Sequence, residues 1–516
     1  MNAFANRVPG VPENRPAYDT DVIIIGAGPA GMSAAIDLAA AGRRVIVLDM
    51  QPAPGGQIFR SLEANLASQP ATDELLAALG PAYRAGEALI ARFRAAREID
   101  YRPDTTVWDL RHDGTVGWLK GEAAGYVRAP HVILATGAME RPVPFPGWTL
   151  PGVMTAGAVQ TLLKAGRLKP QGRVVLAGTG PLIFLLAEQL RCLGIRPALV
   201  ARTDRISDMI RAARWIRPSA IPAILKGAVW MAKLKLAGIP MSTGISELSA
   251  QGVGRVESVS LMVAGRKMTI PCDLLIVHDG IVPSMDLAHG AGLALEWQEG
   301  DASWRPKTSL DGKVELVPGP ALVDGPCRIR ISGDARVIGG ADAAIAHGRH
   351  VAAEILAEAR AEGGVGVKPG QDNGSGTAAA VQRAMAYRPF IEAAFPMGLA
   401  RELPPDDAIV CRCEELTAGT LRATIAQGAT SMDLIRGTQR CGMGPCQGRS
   451  CSATLARLLR EAHPQSQPTP FRPRPPFRPL PLGALAKLEG ADPELAQIIS
   501  LEDKPNAPLE EADPHA

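Results

Sequence analysis

Asp21 to Ile25 is an apolar β-run that breaks at once into Gly26-Ala27-Gly28-Pro29-Ala30-Gly31. An alanine-rich stretch from Met32 to about Ala41 reads as a helix, Gly42 ends it, and Val45 to Leu48 reads as the next strand. Glycines at this spacing mean little alone. Between two strands, at the head of a helix, they predict a parallel strand–helix–strand unit. The first glycine permits the tight turn, the second lets backbone amides approach a pyrophosphate, and the third lets helix and strand pack closely. The helix N-terminus adds positive potential for phosphate. Asp49 stands 18 residues past Gly31, at the end of the second strand, where a carboxylate can accept the hydroxyls of an adenosine ribose.

Further small-residue turns argue for a long dinucleotide. Gly55-Gly56-Gln57 follows shortly after Asp49. His131 to Ala135 is a strand ending in Thr136-Gly137, and Gly333-Asp334 precedes Gly339-Gly340-Ala341 and a small-residue helix. A second glycine unit starts at Arg173 to Ala177 and turns at Gly178-Thr179-Gly180, but Ile183 stands where the third glycine belongs. The strand after it leads to Ala201-Arg202 with no terminal acid. Both departures argue against a working NAD site, while Arg202 leaves a 2′-phosphate open.

At 516 residues the chain has room for several domains of about 150 residues each. The expected division is an N-terminal arm at 1–18, a dinucleotide domain in two parts at 19–148 and 271–360, and a degraded nucleotide domain at 149–270 between them. A linker at 361–404, flexible over its Gly-rich part from Glu362 to Thr377, a cysteine module at 405–462 and a Pro-rich, then acidic tail at 463–516 follow. The net charge of +3 and the absence of a basic run as a binding stripe exclude nucleic acid as an expected partner. No signal peptide or transmembrane segment is expected, and a cytoplasmic location follows. Met209 to Lys235 carries six cations and no acid around Trp215 and Trp230. It reads as helices packed on the second domain or another subunit, in preference to a membrane surface.

Of eight cysteines, Cys192, Cys272 and Cys327 are isolated, and each is expected to be a small buried apolar residue. With no C-x-x-C pair, disulfide chemistry is not expected. Cys411-Arg412-Cys413 is followed after 27 residues by Cys441-Gly-Met-Gly-Pro-Cys446. Four soft thiolates in two close pairs suit the two irons of a [2Fe–2S] cluster. Structural zinc more often takes C-x₂₋₄-C pairs, so the C-x-C spacing counts against it. Cys411, Cys413, Cys441 and Cys446 are the expected ligands, with Cys451 packing on the helix that starts beside it, and the alternative is that Cys451 takes the place of Cys446. No Ser/His/Asp or paired-carboxylate arrangement stands out, and no catalytic residue is assigned. His278, in His278-Asp279-Gly280, reads equally as a structural strand-end histidine or as a neighbour of a flavin.

Asp19 to about Arg360 resembles the α/β flavoproteins with two dinucleotide-binding domains, of thioredoxin reductase-like type. In that family the turns at Ala135-Thr136-Gly137 and Gly333-Asp334 close over FAD, which is the cofactor this resemblance implies. Cys411-Arg-Cys413-Glu-Glu and Arg440 to Arg449 resemble the bacterioferritin-associated-ferredoxin-like (BFD-like) [2Fe–2S] domain. Gln51 to Arg60, Ala135 to Pro142, Gly333 to Arg349, the cysteine module and Arg478 to Ala484 together resemble the α-type subunits of heteromeric flavin amine dehydrogenases. That family includes the A subunit of opine oxidase, the α subunit of D-hydroxyproline dehydrogenase and the B subunit of hydrogen cyanide synthase.

The resemblance implies an FAD and [2Fe–2S] electron-transfer subunit. Its partner is an amino-acid-oxidase-like β flavoprotein that oxidises an imino acid, opine or glycine. Some relatives add an FMN at a subunit interface or a small ferredoxin-like γ subunit. The alternatives are a self-contained NAD(P)H-dependent reductase and a non-catalytic, cluster-carrying scaffold.

Overall fold

The computed structural model describes residues 18–317, 327–362 and 374–488. Val22–Ile25, Val45–Leu48 and His131–Leu134 are short, almost wholly aliphatic and buried on both faces, the pattern of parallel strands covered on two sides. They form one five-stranded parallel sheet in the order Arg328–Ile331, His131–Leu134, Val22–Ile25, Val45–Leu48, Ile99–Arg102. The helix Pro29–Ala40 crosses one face and packs on the helix Gly340–Ala361. Their approach is close enough that a Cβ on Gly348 would collide with the carbonyl oxygen of Ala30.

The second parallel sheet runs Met241–Ser242, Leu199–Arg202, Val174–Gly178, Leu274–His278, Val153–Thr155. A two-stranded ribbon of Ala138–Glu140 and Ile281–Pro283 carries the chain between the two folds. The strand Leu274–His278 therefore lies in the second sheet, although the expected boundary at 270/271 put it in the first domain. An apolar run does not state which sheet it will join.

Residues 1–17, most of the expected flexible stretch (363–373) and the acidic tail (489–516) lie outside the described residues. From Gly374 the chain is helical, in Gly374–Met385 and Arg388–Ala394, so the stretch to 404 is not one open linker. Val381, Phe390 and Ala394 are the side chains these two helices bury.

The cysteine module is a small unit built from the strand Ile409–Cys411 and the helices Ala418–Ala426, Met432–Gln439 and Ser452–Ala462. Thr417 and Ser431 cap the first two through side-chain oxygens. The Pro-rich stretch behaves as a strap on its own chain. Phe471 is buried in the cysteine module and Phe477 in the first domain, where Phe477 N–H donates to the Trp108 carbonyl at 2.8 Å. Arg478 pairs with Asp286 at 2.9 Å. Cys272 is buried as expected and Cys327 partly so, but Cys192 is exposed, hydrogen-bonded beside Glu188.

Candidate functional site

The turn after Val22–Ile25 is shaped by two different demands. Gly26 has φ +110, and a Cβ there would strike the carbonyl oxygen of Ala135 on the neighbouring strand. A Cβ on Gly31 would strike the carbonyl oxygen of Gly26. Those glycines are required by the fold. Gly28 is not, since its backbone (φ −76, ψ −178) suits any residue, and an added Cβ would meet only the Gly56 Cα, at 3.9 Å. The absence of a side chain at Gly28 keeps open a cradle at the N-terminus of Pro29–Ala40, which fits the pyrophosphate of a dinucleotide.

Gly55-Gly56 is laid against this turn by a hydrogen bond from Gly55 N–H to the Ala27 carbonyl, 2.8 Å. Asp49 ends its strand with both carboxylate oxygens engaged, accepting from Ala27 N–H at 2.8 Å and Gln51 N–H at 2.9 Å. Burial raises its pKa, opposed by those two amides. Gln57 is exposed and its Oε1 accepts from Arg60 at 3.0 Å. Beneath the loop, the buried Lys164 donates to the Gln57 and Ile58 carbonyls at 3.1 Å each, and desolvation lowers its pKa to about 8.

On the far side of the cleft, Ala135 is buried and Thr136 donates to the Ser284 carbonyl at 3.3 Å. Gly137 turns at φ +68. The Gly333 turn touches Ala30 of the first helix, and Asp334 accepts from Gly339 and Gly340 N–H at 2.8 and 3.1 Å, just before Ala341. The turns at Gly55, Ala135 and Gly333 thus meet the Gly26–Gly31 turn and the start of its helix. The sequence did not flag His347, which accepts from Gly333 N–H at Nδ1 (3.1 Å) and donates from Nε2 to the Leu310 carbonyl (2.9 Å). Burial first, then Arg336, lowers its pKa to about 3, so it is neutral with a single tautomer.

The second cleft is filled by the chain itself. Asp279, just past the strand Leu274–His278, accepts from Gly398 N–H at 3.1 Å and from Leu399 and Ala400 N–H at 2.8 Å each. Gly398 also presses on Thr203, which follows the strand Leu199–Arg202. Those two strands flank Val174–Gly178. Residues 395–401 therefore lie across the carboxyl ends of three strands, where an open α/β sheet binds its ligand. Phe395 packs on Phe184, ring centroids 6.1 Å apart. Arg202, considered above for a 2′-phosphate, is buried and paired with Asp204, its guanidinium 4.8 Å over the Phe184 ring. Beside this cleft His278 Nδ1 lies 2.6 Å from Glu140, whose other oxygen accepts from Gly157 N–H at 2.6 Å. That pairing is a positional one and assigns His278 to the link between the two folds.

In the cysteine module, the sulfurs of Cys411, Cys441 and Cys451 lie within 4.8 Å of one another, all buried. Cys441 and Cys451 are 3.8 Å apart. Hydrogen bonds from Cys441 and then Cys451 hold the Cys411 thiol down at about 2, and the same bonds push the other two up. Cys451 sits at the N-terminus of Ser452–Ala462, buried as expected, and its sulfur faces this group. Cys413 and Cys446 lie nearer the surface, with Cys413 against Gly444. The donors are all sulfur, the set that soft iron–sulfur centres take.

Residues 20–308 match the family model for pyridine nucleotide-disulphide oxidoreductases, and residues 409–461 that for the BFD-like [2Fe-2S] binding domain. The A subunit of opine oxidase from Agrobacterium tumefaciens (strain Ach5) is 36% identical over 91% of this chain and 92% of its own length. The chain belongs to the family of opine oxidase A subunits.

Hydrogen cyanide synthase subunit HcnB of Pseudomonas aeruginosa is 31% identical over 90% of this chain and 98% of its own length. Among solved structures, L-proline dehydrogenase from P. horikoshii shares the fold, with TM-score 0.63 and 19% identity over 91% of this chain and 79% of that one. As a member of the opine oxidase A-type family, the chain is a flavin and [2Fe–2S] oxidoreductase with FAD and the cluster as cofactors. Among the described residues no helix is long and apolar enough to cross a membrane.

Proposed function

We propose that this chain is the electron-transfer subunit of a heteromeric amino or imino acid dehydrogenase of D-hydroxyproline, opine or glycine type. A separate amino-acid-oxidase-like β flavoprotein oxidises the C–N bond, and electrons leave through this chain to an acceptor other than NAD. The carrying observation is the contrast between a first cleft kept open at Gly28 and a second filled by residues 395–401. The names of the opine oxidase and cyanide synthase relatives, each a subunit, support the partner.

Bound FAD accepts electrons in pairs and releases them singly, and a [2Fe–2S] cluster takes them one at a time. Gly26, Gly28, Pro29, Ala30 and Gly31 receive the pyrophosphate at the helix N-terminus, and Asp49 orients the ribose. Gly55, Gly56, Gln57 and Arg60 line the same side. Ala135, Thr136, Gly137, Gly333, Asp334 and Ala341 close the other. The cluster is held by four of five thiolates. Spacing favours Cys411, Cys413, Cys441 and Cys446, and the sulfur contact of Cys451 makes it the rival of Cys441. The same reading includes an FMN at the contact with the partner and a ferredoxin-like γ subunit.

The test is anaerobic mixing of the chain, co-expressed with an amino-acid-oxidase-like partner, with D-hydroxyproline, opines and glycine. Bleached flavin and a reduced cluster signal are expected with one of these amines, and neither with NADH or NADPH. Bleaching of the isolated chain by NAD(P)H would sink the proposal. Serine at Cys413 or Cys446 should abolish the cluster signal. Serine at Cys411 should do the same, and of serine at Cys441 and Cys451 one variant should retain it.

A further inference from the structure

The basic stretch singled out in the sequence packs on the second fold as expected, but along one side only, Ile221–Leu236 lying against the helix Pro181–Cys192. The helix Ile206–Ala212 packs on Arg388–Ala394, and Met209 and Ile224 both border the small cluster of Ala212, Phe390 and Ala394. Only Leu234 of the longer helix is buried. Its inner side is Ile224, Gly227, Trp230, Met231 and Leu234. At 100° per residue the opposite side collects Ile221, Leu225, Val229, Ala232 and Leu236 into one outward stripe, Leu236 being 88% exposed. Lys226 and Lys233 border the stripe on one edge and Lys235 on the other. Ile206 and Ile210, four residues apart on the shorter helix, are each 70% exposed, and Trp215 stands exposed beside Arg214.

Charge selects the occupant. From Ile206 to Leu236 there are six cations and one acid, and that acid, Asp208, is buried and paired with Arg211. Nearby acids are paired as well: Asp204, buried with Arg202, Glu188, 3.7 Å from Lys233, and Glu392 with Arg388. The centre of a protein–protein contact is depleted in lysine. An apolar stripe edged by lysines is the composition of a helix lying in a bilayer interface.

We propose that this face docks the protein on an anionic phospholipid surface, the stripe entering the headgroup boundary and the lysines and arginines meeting lipid phosphates. It does so without crossing the bilayer, and it does not depend on which donor feeds the flavin.

Flotation of the full chain with vesicles tests this. Binding to vesicles containing phosphatidylglycerol should exceed binding to pure phosphatidylcholine at least tenfold, and should fall as salt rises. Leu225→Gln with Leu236→Gln, and separately Lys226→Gln with Lys235→Gln, should each reduce binding several-fold. All four side chains are exposed, so flavin content and melting temperature should not change. Equal binding to neutral vesicles, no binding, or variants that bind as the parent would overturn the proposal. So would protection of Leu225 and Leu236 from hydrogen exchange by a co-purified protein, which would make this face a protein contact.

Discussion

The two parallel sheets carry the same turn with opposite outcomes. Gly178, like Gly26, is a glycine because the neighbouring strand's carbonyl, that of His278, leaves no room for a Cβ. Gly180 has φ +97, which a side chain resists. Gly28, its counterpart, has an ordinary extended backbone and open space. At the third position Gly31 meets the turn's backbone, whereas Ile183 fills a core. The first glycine, Gly26 or Gly178, is needed by its own turn and occurs in both. The one that only a bound phosphate explains occurs in the first turn alone. A glycine motif is thus evidence for a ligand only at positions where the backbone itself has no use for glycine.

The comparison breaks most easily at Gly28. Gly28→Val adds a side chain the backbone accepts and puts it where the pyrophosphate would lie. The flavin content of purified protein should drop with an affinity loss of at least about 100-fold, roughly 3 kcal/mol, while the apoprotein melts as before. Gly180→Ala is its mirror. Backbone strain should cost about 1–3 kcal/mol of stability and leave flavin content unchanged. If both variants lose flavin, or neither does, the contrast is wrong.

Acid should find the first fold before the second. His347 and His131 both belong to the first fold and are held neutral by burial, with pKa values lowered to about 3 and about 4 from 6.5. A lowered folded-state value means that the unfolded chain binds the proton first. Stability from each neutral ring is complete above pH 6.5 and drains away as pH falls toward the folded-state value. For His347, roughly 3 kcal/mol should go between pH 6.5 and 4. Its protonation also removes the acceptor that holds Gly333 N–H, so flavin release should accompany the loss. In His347→Gln the slope of stability against pH over that window should fall by about one proton.

What could be read in advance was local or chemical. The strand, turn, helix and acid from Asp21 to Asp49 are contiguous, and each states its role through residue type. The cysteines declare themselves because thiolates this close together have few other uses. The filling of the second cleft could not be read, because nothing near Phe395 or Gly398 announces a partner more than 100 residues away. Asp279 was visible only as a polar residue after a strand. Phe471 and Phe477, which pin the cysteine module to the first domain, were masked by their prolines. Cys451 stayed open because a helix start and a sulfur contact can belong to the same residue.

The smallest effect asks whether the second cleft is latched or lost. Asp279→Asn keeps one carbonyl oxygen for Gly398 and Leu399 but turns an amide group toward Ala400 N–H, and it removes the negative charge near Arg141. The cost should be about 1–2 kcal/mol in denaturant melts. If residues 395–401 are the sole obstacle, loosening them would let NADPH reduce the flavin. We expect no such gain, because Ile183 still stands in the place of the third glycine and Arg202 stays tied to Asp204 under the Phe184 ring. Anaerobic titration of the variant with NADPH decides it. A bleached flavin would mean that this fold has kept its nucleotide chemistry behind a removable segment, and an unchanged spectrum that the sheet has become a seat for the chain leading to the cysteines.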